Sequence, residues 1–139
     1  MEQTIKLEPC NIREAWDRIK PGLEEIKERW PKASTWRVED VYAHVIMEQA
    51  VLYETDDGFA VCTLETDEFT GEADLSIWIA YAYNKRSGTL SKYLPSFIEA
   101  AKGFGCKGVN TYSNHPAVAT VFDEDTRVYT KYRVEVDGS

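Results

Sequence analysis

One stretch, residues 74–109, most constrains what this chain can fold into. It reads as an apolar run (DLSIWIAYAY), a polar segment (NKRSG), an amphipathic run (TLSKYLPSFIEAAKGFG) and a new apolar start (CKGVN). Both faces of the first run are mostly apolar, which predicts a strand in the middle of a sheet. Simple alternation assigns one face to Leu75, Ile77, Ile79, Tyr81 and Tyr83, and the other to Ser76, Trp78, Ala80 and Ala82.

The polar segment, residues 84–88, lies directly before the predicted helix. A loop that feeds a helix N-terminus presents free backbone N–H groups and a partial positive charge, both of which suit a phosphate. The stretch therefore predicts a strand, loop, helix and strand with a place for the phosphates of a cofactor.

Length, charge and cysteine content limit the number of domains and the kinds of partner that this chain can have. A chain of 139 residues is most simply one domain, here residues 1–139, with room for a core. The formal net charge of −8 argues against binding to a nucleic-acid backbone and leaves open a basic protein partner. Three spaced cysteines and two histidines predict reduced thiols and no metal site. No signal peptide or membrane-spanning run is visible, so we expect a cytoplasmic protein with no membrane partner. The oligomeric state stays open.

The rest of the chain supplies a helical region and a meander. A short strand is predicted at residues 3–7, then a helix to about Lys20 with a kink or a new helix at Pro21. A short amphipathic helix follows at residues 36–46. Residues 50–55 and 59–65 form a hairpin about an Asp-Gly turn. A last helix at residues 116–122 and a last strand at residues 127–136 complete the pattern.

This order of elements resembles the GNAT superfamily of N-acetyltransferases over nearly the whole chain. The predicted fold class is therefore α/β (α+β), a mixed sheet with an antiparallel N-terminal meander, then β-α-β-α-β, and helices on both faces. The family's pyrophosphate loop, Arg/Gln-x-x-Gly-x-Gly/Ala, overlies residues 85–90, where Gly88 matches the first glycine. Lys85 replaces the Arg or Gln, and Leu90 replaces the second small residue.

The resemblance implies an acyl-CoA-dependent N-acyltransferase that uses acetyl-CoA or another acyl-CoA and an amine acceptor. Pantetheine would lie along the backbone of Ile79 and Ala80, and Asn114 resembles the family's asparagine that meets this arm. Phe122 occupies roughly the place of the tyrosine that serves as general acid in the family, and it cannot donate a proton. Tyr112 is therefore the candidate substitute acid, and Glu65 and Glu72 are candidate bases. The residues expected to hold the pyrophosphate are Lys85, Arg86, Ser87, Gly88, Thr89, Leu90 and Ser91.

Within the superfamily, three local features look most like small phage-encoded GNAT-fold proteins. These are the Trp36-x-Val-Glu-Asp-Val-Tyr segment, the meander into Ile77-Trp78, and the Ala100-Ala-x-Gly-Phe-Gly-Cys106 segment. The alternative function is therefore a catalytically degenerate GNAT-fold phage protein, in the virion or bound to a host factor, without acyltransferase activity. Its location would be the host cytoplasm or the virion.

Overall fold

The fold is seen in a computed structural model that describes residues 5–31, 34–83 and 89–111. The described elements run in the order α1 (Ile12–Arg29), α2 (Val38–Ile46), β1 (Val51–Thr55), β2 (Gly58–Thr66), β3 (Ala73–Ala82), α3 (Thr89–Gly103) and β4 (Gly108–Thr111). These strands form one sheet in the order β1-β2-β3-β4. The first two pairings are antiparallel, and β3 pairs with β4 in parallel. The mixed α/β class with an N-terminal meander is thereby confirmed.

Helices cover both faces of this sheet, as predicted. One apolar cluster joins α1 and α2 to one face through buried side chains such as Ile19, Leu23 and Val41. The other joins α3 to the opposite face through Tyr93 and Phe97. Because helices bury apolar side chains on both faces of the sheet, the central strand is apolar on both sides.

Helix α1 differs from the expectation, because it continues through Pro21 as one helix of 18 residues. A proline inside a helix removes one backbone hydrogen bond and costs about 3 kcal/mol. The apolar stripe keeps its phase across Pro21, so Ile19 and Leu23 are both fully buried against the same sheet face. Burying side chains of this size contributes about 1.5–3 kcal/mol each, which offsets the lost bond.

The predicted strand at residues 3–7 is not formed over its described part, residues 5–7. Instead, Pro9 makes a single antiparallel bridge with Tyr53, and the Cys10 N–H donates to the Leu52 carbonyl at 2.8 Å. The proline has no N–H to extend this ladder. The predicted last helix and last strand, at residues 116–122 and 127–136, lie outside the described residues.

Helix α1 approaches the sheet closely at Gly22, which is buried. A Cβ atom at this position would lie 2.8 Å from the Tyr81 ring and 2.9 Å from the Phe59 ring. These rings stack on each other with centroids 5.4 Å apart, and the Tyr81 hydroxyl donates to Glu25 on the same helix. Neither ring can move without losing a contact, so the glycine sets the spacing between helix and sheet.

We expect Gly22→Ala to lower the free energy of unfolding by about 1–3 kcal/mol, because overpacking outweighs the gain in helix propensity. Thermal and urea unfolding measure this change. Gly103→Ala is the matched control, since a Cβ there meets nothing within 4 Å. A Gly22→Ala protein as stable as the control would show that the two layers are not tightly packed here.

Candidate functional site

The central strand β3 carries one more residue than β2 opposite it. Val61 pairs with Ile79 and Cys62 pairs with Ile77, so Trp78 is a β-bulge. Beyond the bulge the alternation changes phase. Leu75 and Ile77 pack with α3, whereas Ile79 and Tyr81 pack with α1 and α2. The predicted common face for residues 75–83 was therefore wrong, because simple alternation allows no inserted residue.

The bulge residue forms the wall of a cavity of about 470 Å³, which we call the tryptophan cavity. It lies between α2, the segment before α2, the second half of β2 and the middle of β3. The lining includes Trp36, His44, Thr63, Glu65, Ser76 and Trp78.

Aromatic rings enclose one end of the tryptophan cavity. The Trp36 and Trp78 rings meet edge to face with centroids 6.2 Å apart, and the His44 ring lies 5.5 Å from Trp78. Lys27 of α1 fixes the Trp36 segment, since its ammonium donates to the carbonyls of Ser34 and Trp36. The same ammonium lies 5.0 Å from the Trp36 ring centroid, a cation–π distance. The aromatic wall is therefore held by contacts within the protein.

The other end of the tryptophan cavity is lined by one carboxylate, Glu65, and by the hydroxyl side chains of Thr63 and Ser76. Glu65 on β2 is directly opposite Asp74 on β3, and Thr63 is opposite Ser76. Residues directly opposite each other share a face, so the two carboxylates lie on the same side of the sheet. Asp74 accepts a hydrogen bond from the Asn110 side chain at 3.1 Å. This end suits a cationic or hydrogen-bonding group.

A second cavity, of about 200 Å³, lies farther along β3 and is lined by Ala80 and Ala82 as well as by residues of α1 such as Arg29. The two cavities thus adjoin β3 on either side of Ile79. Within the described residues, β4 pairs with β3 only from Asp74 to Ile77. In that part of the chain, Ile79 and Ala80 have β2 on one side and no strand on the other.

Two polar clusters lie on either side of residues 84–88 in the sequence, one at Tyr83 and one at Lys92 and Tyr93. Before the loop, the Glu54 carboxylate accepts hydrogen bonds from Arg18 of α1, at 2.7 Å and 3.1 Å, and from the Tyr83 hydroxyl. The hydrogen bond from Arg18 lowers the pKa of Glu54. Burial and the bond to Glu54 raise the pKa of Tyr83 above its usual range.

After the loop, Asp57 in the β1–β2 turn accepts hydrogen bonds from Lys92 at 2.7 Å and from the Tyr93 hydroxyl at 2.6 Å. The hydrogen bond from Lys92 lowers the pKa of Asp57 most, and the hydrogen bond from Tyr93 lowers it further. The same residue accepts the Tyr83 N–H on its carbonyl at 2.9 Å. Asp57 therefore ties the end of β3 to the start of α3.

The structure describes some of the predicted site residues and not others. On β3, Ile79 is buried and Ala80 is exposed, and Glu65 is exposed at the far end of the tryptophan cavity. Helix α3 begins at Thr89, directly after the loop as predicted, and includes the backbone of Leu90 and Ser91. The predicted residues outside the described part of the chain are Lys85, Arg86, Ser87, Gly88, Tyr112 and Asn114, and the Leu90 side chain is outside it too.

Three cavity residues, Trp36, His44 and Trp78, were missed as site residues from the sequence. Trp78 is 34 positions after His44 and 42 after Trp36, and no spacing rule joins residues so far apart in the sequence. In the sequence, the three residues share only a large or titratable side chain beside an apolar face. Core residues show the same pattern, so it does not identify a site.

In residues 5–31, 34–83 and 89–111, no three His, Cys, Asp or Glu side chains are grouped as metal ligands. Over the same residues, no helix is long and apolar enough to cross a membrane.

No protein-family model matches the sequence, and no curated protein sequence matches it significantly. Solved structures do share its fold. A probable acetyltransferase superposes with a TM-score of 0.67 at 12% identity, over 95% of this chain and 100% of that one. A ribosomal-protein-alanine N-acetyltransferase from Brucella melitensis biovar Abortus 2308 gives 0.62 at 13% identity, over 94% and 96%. An aminoglycoside 6'-N-acetyltransferase from Acinetobacter haemolyticus gives 0.63 at 10%, over 96% and 100%. The chain therefore has the GNAT fold.

We expect Asp57→Asn to lower the melting temperature at neutral pH, because the amide cannot replace the charged acceptor of Lys92. The pKa of Asp57 is lowered by folding, so its ionised form stabilises the protein above the usual titration range of aspartate. This contribution is lost as the pH falls through the lowered value. The difference between the two proteins should therefore shrink in acid, which thermal unfolding across pH measures.

Asp56→Asn, one residue earlier in the same turn, is the control. If Asp57→Asn and Asp56→Asn have the same melting temperature at every pH, the hydrogen bonds of the Asp57 carboxylate do not stabilise the protein.

Proposed function

We propose that this chain is an acyl-CoA-dependent N-acyltransferase. One observation carries the proposal: among the described strands, the bulged central strand has a neighbour on only one side at Ile79 and Ala80, and a cavity adjoins the strand before and after Ile79. The fold shared with acetyltransferases supports the same reaction class. In this arrangement the enzyme chiefly positions an amine against a thioester, and positioning alone can supply several kcal/mol of the barrier.

The residues that fit acyl-CoA lie along the second half of β3 and the loop after it. Backbone groups of Ile79 and Ala80 would pair with pantetheine, and the small side chains of Ala80 and Ala82 leave room beside the strand. Residues 85–91 would hold the pyrophosphate at the start of α3, and Asn114 would meet the pantetheine arm. When bound, acyl-CoA supplies an activated acyl group.

The acceptor amine would occupy the tryptophan cavity. Faces of tryptophan attract alkylammonium cations, and the Glu65 carboxylate adds negative charge at the opposite end. The net charge of −8 likewise favours a cationic acceptor over an anionic one. Glu65 would orient the acceptor or accept its proton. Tyr112, which directly follows the last described residue of β4, is proposed as the acid that protonates the leaving thiolate.

The second candidate is a non-catalytic relative that acts by binding a protein, in a phage particle or on a host factor. Two sequence features favour it: the bulky Leu90 in place of a small residue, and Phe122 in place of an acidic tyrosine. A leaving thiolate can take its proton from solvent, so Phe122 decides little. Leu90 bears on cofactor binding itself, and binding is therefore the property to measure first.

We expect acetyl-CoA to raise the melting temperature of the protein. A ligand that binds the folded state alone stabilises it by about 2.7 kcal/mol at a concentration one hundred times its Kd. Differential scanning fluorimetry against acetyl-CoA up to millimolar concentration measures the shift. No shift would contradict the acyltransferase and favour the binding protein.

Gly88→Leu should abolish this shift, because a side chain there would keep the backbone away from the pyrophosphate. Gly103→Leu is the control at the other end of α3, where a Cβ meets nothing within 4 Å. An unchanged shift in Gly88→Leu would place the phosphates elsewhere.

A further inference from the structure

His44 is held in one tautomer by its own helix. Its Nδ1 atom lies 2.7 Å from the backbone carbonyl oxygen of Asp40, one turn earlier in α2. A carbonyl oxygen can accept a hydrogen bond but cannot donate one, so Nδ1 carries the hydrogen. The neutral imidazole therefore has its lone pair on Nε2.

The lone pair of His44 is available inside the tryptophan cavity. The side chain lines this cavity, and the residue is exposed to solvent there. Among the residues that the structure describes, none forms a hydrogen bond with Nε2. Because Nδ1 faces the helix backbone, Nε2 is at the edge of the ring directed away from α2.

A second contact places this ring beside the bulge. The His44 and Trp78 ring centroids are 5.5 Å apart with an interplanar angle of 59°. Trp78 directly precedes Ile79, where the proposed thioester site begins. The ring is thus fixed at two points, by Asp40 at one edge and by Trp78 at its face.

Glu65 is less well placed to accept a proton near Ile79. Ile79 pairs with Val61, and Glu65 is four residues farther along β2. At about 3.3 Å per residue, the two positions on β2 are about 13 Å apart. A glutamate side chain cannot span that distance, so Glu65 suits the distal part of an acceptor.

We propose that Nε2 of His44 accepts the proton of the acceptor amine, and this inference rests on the proposed acyltransferase function. The amine nitrogen forms a bond to the thioester carbonyl carbon, and the C–S bond breaks. An acceptor that arrives as an ammonium ion first loses one proton to Nε2, which passes it to solvent, and the nitrogen loses its second proton by the same route as the new bond forms. The CoA thiolate takes one proton, so the products are an N-acyl amine and free CoA thiol.

The charges around His44 come from three elements. Asp40 and Arg37, at the start of α2, form an ion pair at 3.1 Å, so they largely neutralise each other. Glu65 faces the same cavity from β2. Lys27 of α1 lies over Trp36, the neighbouring wall. Glu65 adds a carboxylate to the lining of the cavity, and negative charge there favours a cation arriving beside His44.

The first test measures the imidazole itself and needs no turnover. With ¹⁵N-labelled protein, the ring nitrogen shifts should show hydrogen on Nδ1 and a lone pair on Nε2 at a pH where His44 is neutral. Adding n-butylamine should shift the Nε2 resonance. Hydrogen on Nε2, or an Nε2 signal unmoved by the amine, would overturn the proposal.

The second test uses His44→Asn, whose side-chain amide can still donate to the Asp40 carbonyl but offers no base. With acetyl-CoA and n-butylamine, thiol release by the variant should be about 10²–10⁴-fold slower in kcat. The melting-temperature shift with acetyl-CoA should be unchanged. The wild-type kcat/KM should fall as the pH is lowered through the titration of a single group, and the variant should lose this dependence.

Glu65→Gln is the comparison, because an orienting carboxylate should affect KM for the amine more than kcat. A His44→Asn protein with the wild-type rate or pH profile would overturn the role of His44, as would a wild-type protein that binds acetyl-CoA and releases no thiol. Failure of acetyl-CoA to shift the melting temperature would instead overturn the proposed function, and the ¹⁵N spectrum would still report the tautomer.

Discussion

The bulge at Trp78 is the feature on which the rest of the structure depends. Without it, residues 75–81 of β3 would direct every second side chain to one helix layer. With it, Leu75 and Ile77 belong to the α3 layer, and Ile79 belongs to the α1 and α2 layer. The same inserted residue lines the tryptophan cavity and directly precedes Ile79, which has a strand on only one side among the strands that the structure describes. Packing and the candidate site thus share one local irregularity.

Much of this architecture could be predicted because its signals are local. The meander follows from an Asp-Gly turn between two apolar runs, and α3 follows from a polar loop before an amphipathic run. The central strand, predicted at residues 74–83, is observed as Ala73–Ala82. Pattern and turn chemistry agree at these places, so little tertiary information was needed.

The bulge and the cavity could not be predicted, for a physical reason. A strand that is apolar on both faces shows no alternation, so its sequence cannot reveal where the phase changes. The continuity of α1 through Pro21 is likewise decided by burial against the sheet and not by local propensity. His44 meets Trp78 only through packing of α2 on the sheet, and its contact with Asp40 gains meaning only once the cavity is known.

The Glu54 carboxylate joins Arg18 on α1 to Tyr83, which directly follows β3. Because both donors share one acceptor, the docking of α1 and the exit of β3 are thermodynamically coupled. The effects of substituting Arg18 and Tyr83 on the free energy of unfolding would not be additive, because losing one hydrogen bond to Glu54 weakens the other. A change in the N-terminal helix is in this way transmitted to the end of β3 through a single side chain.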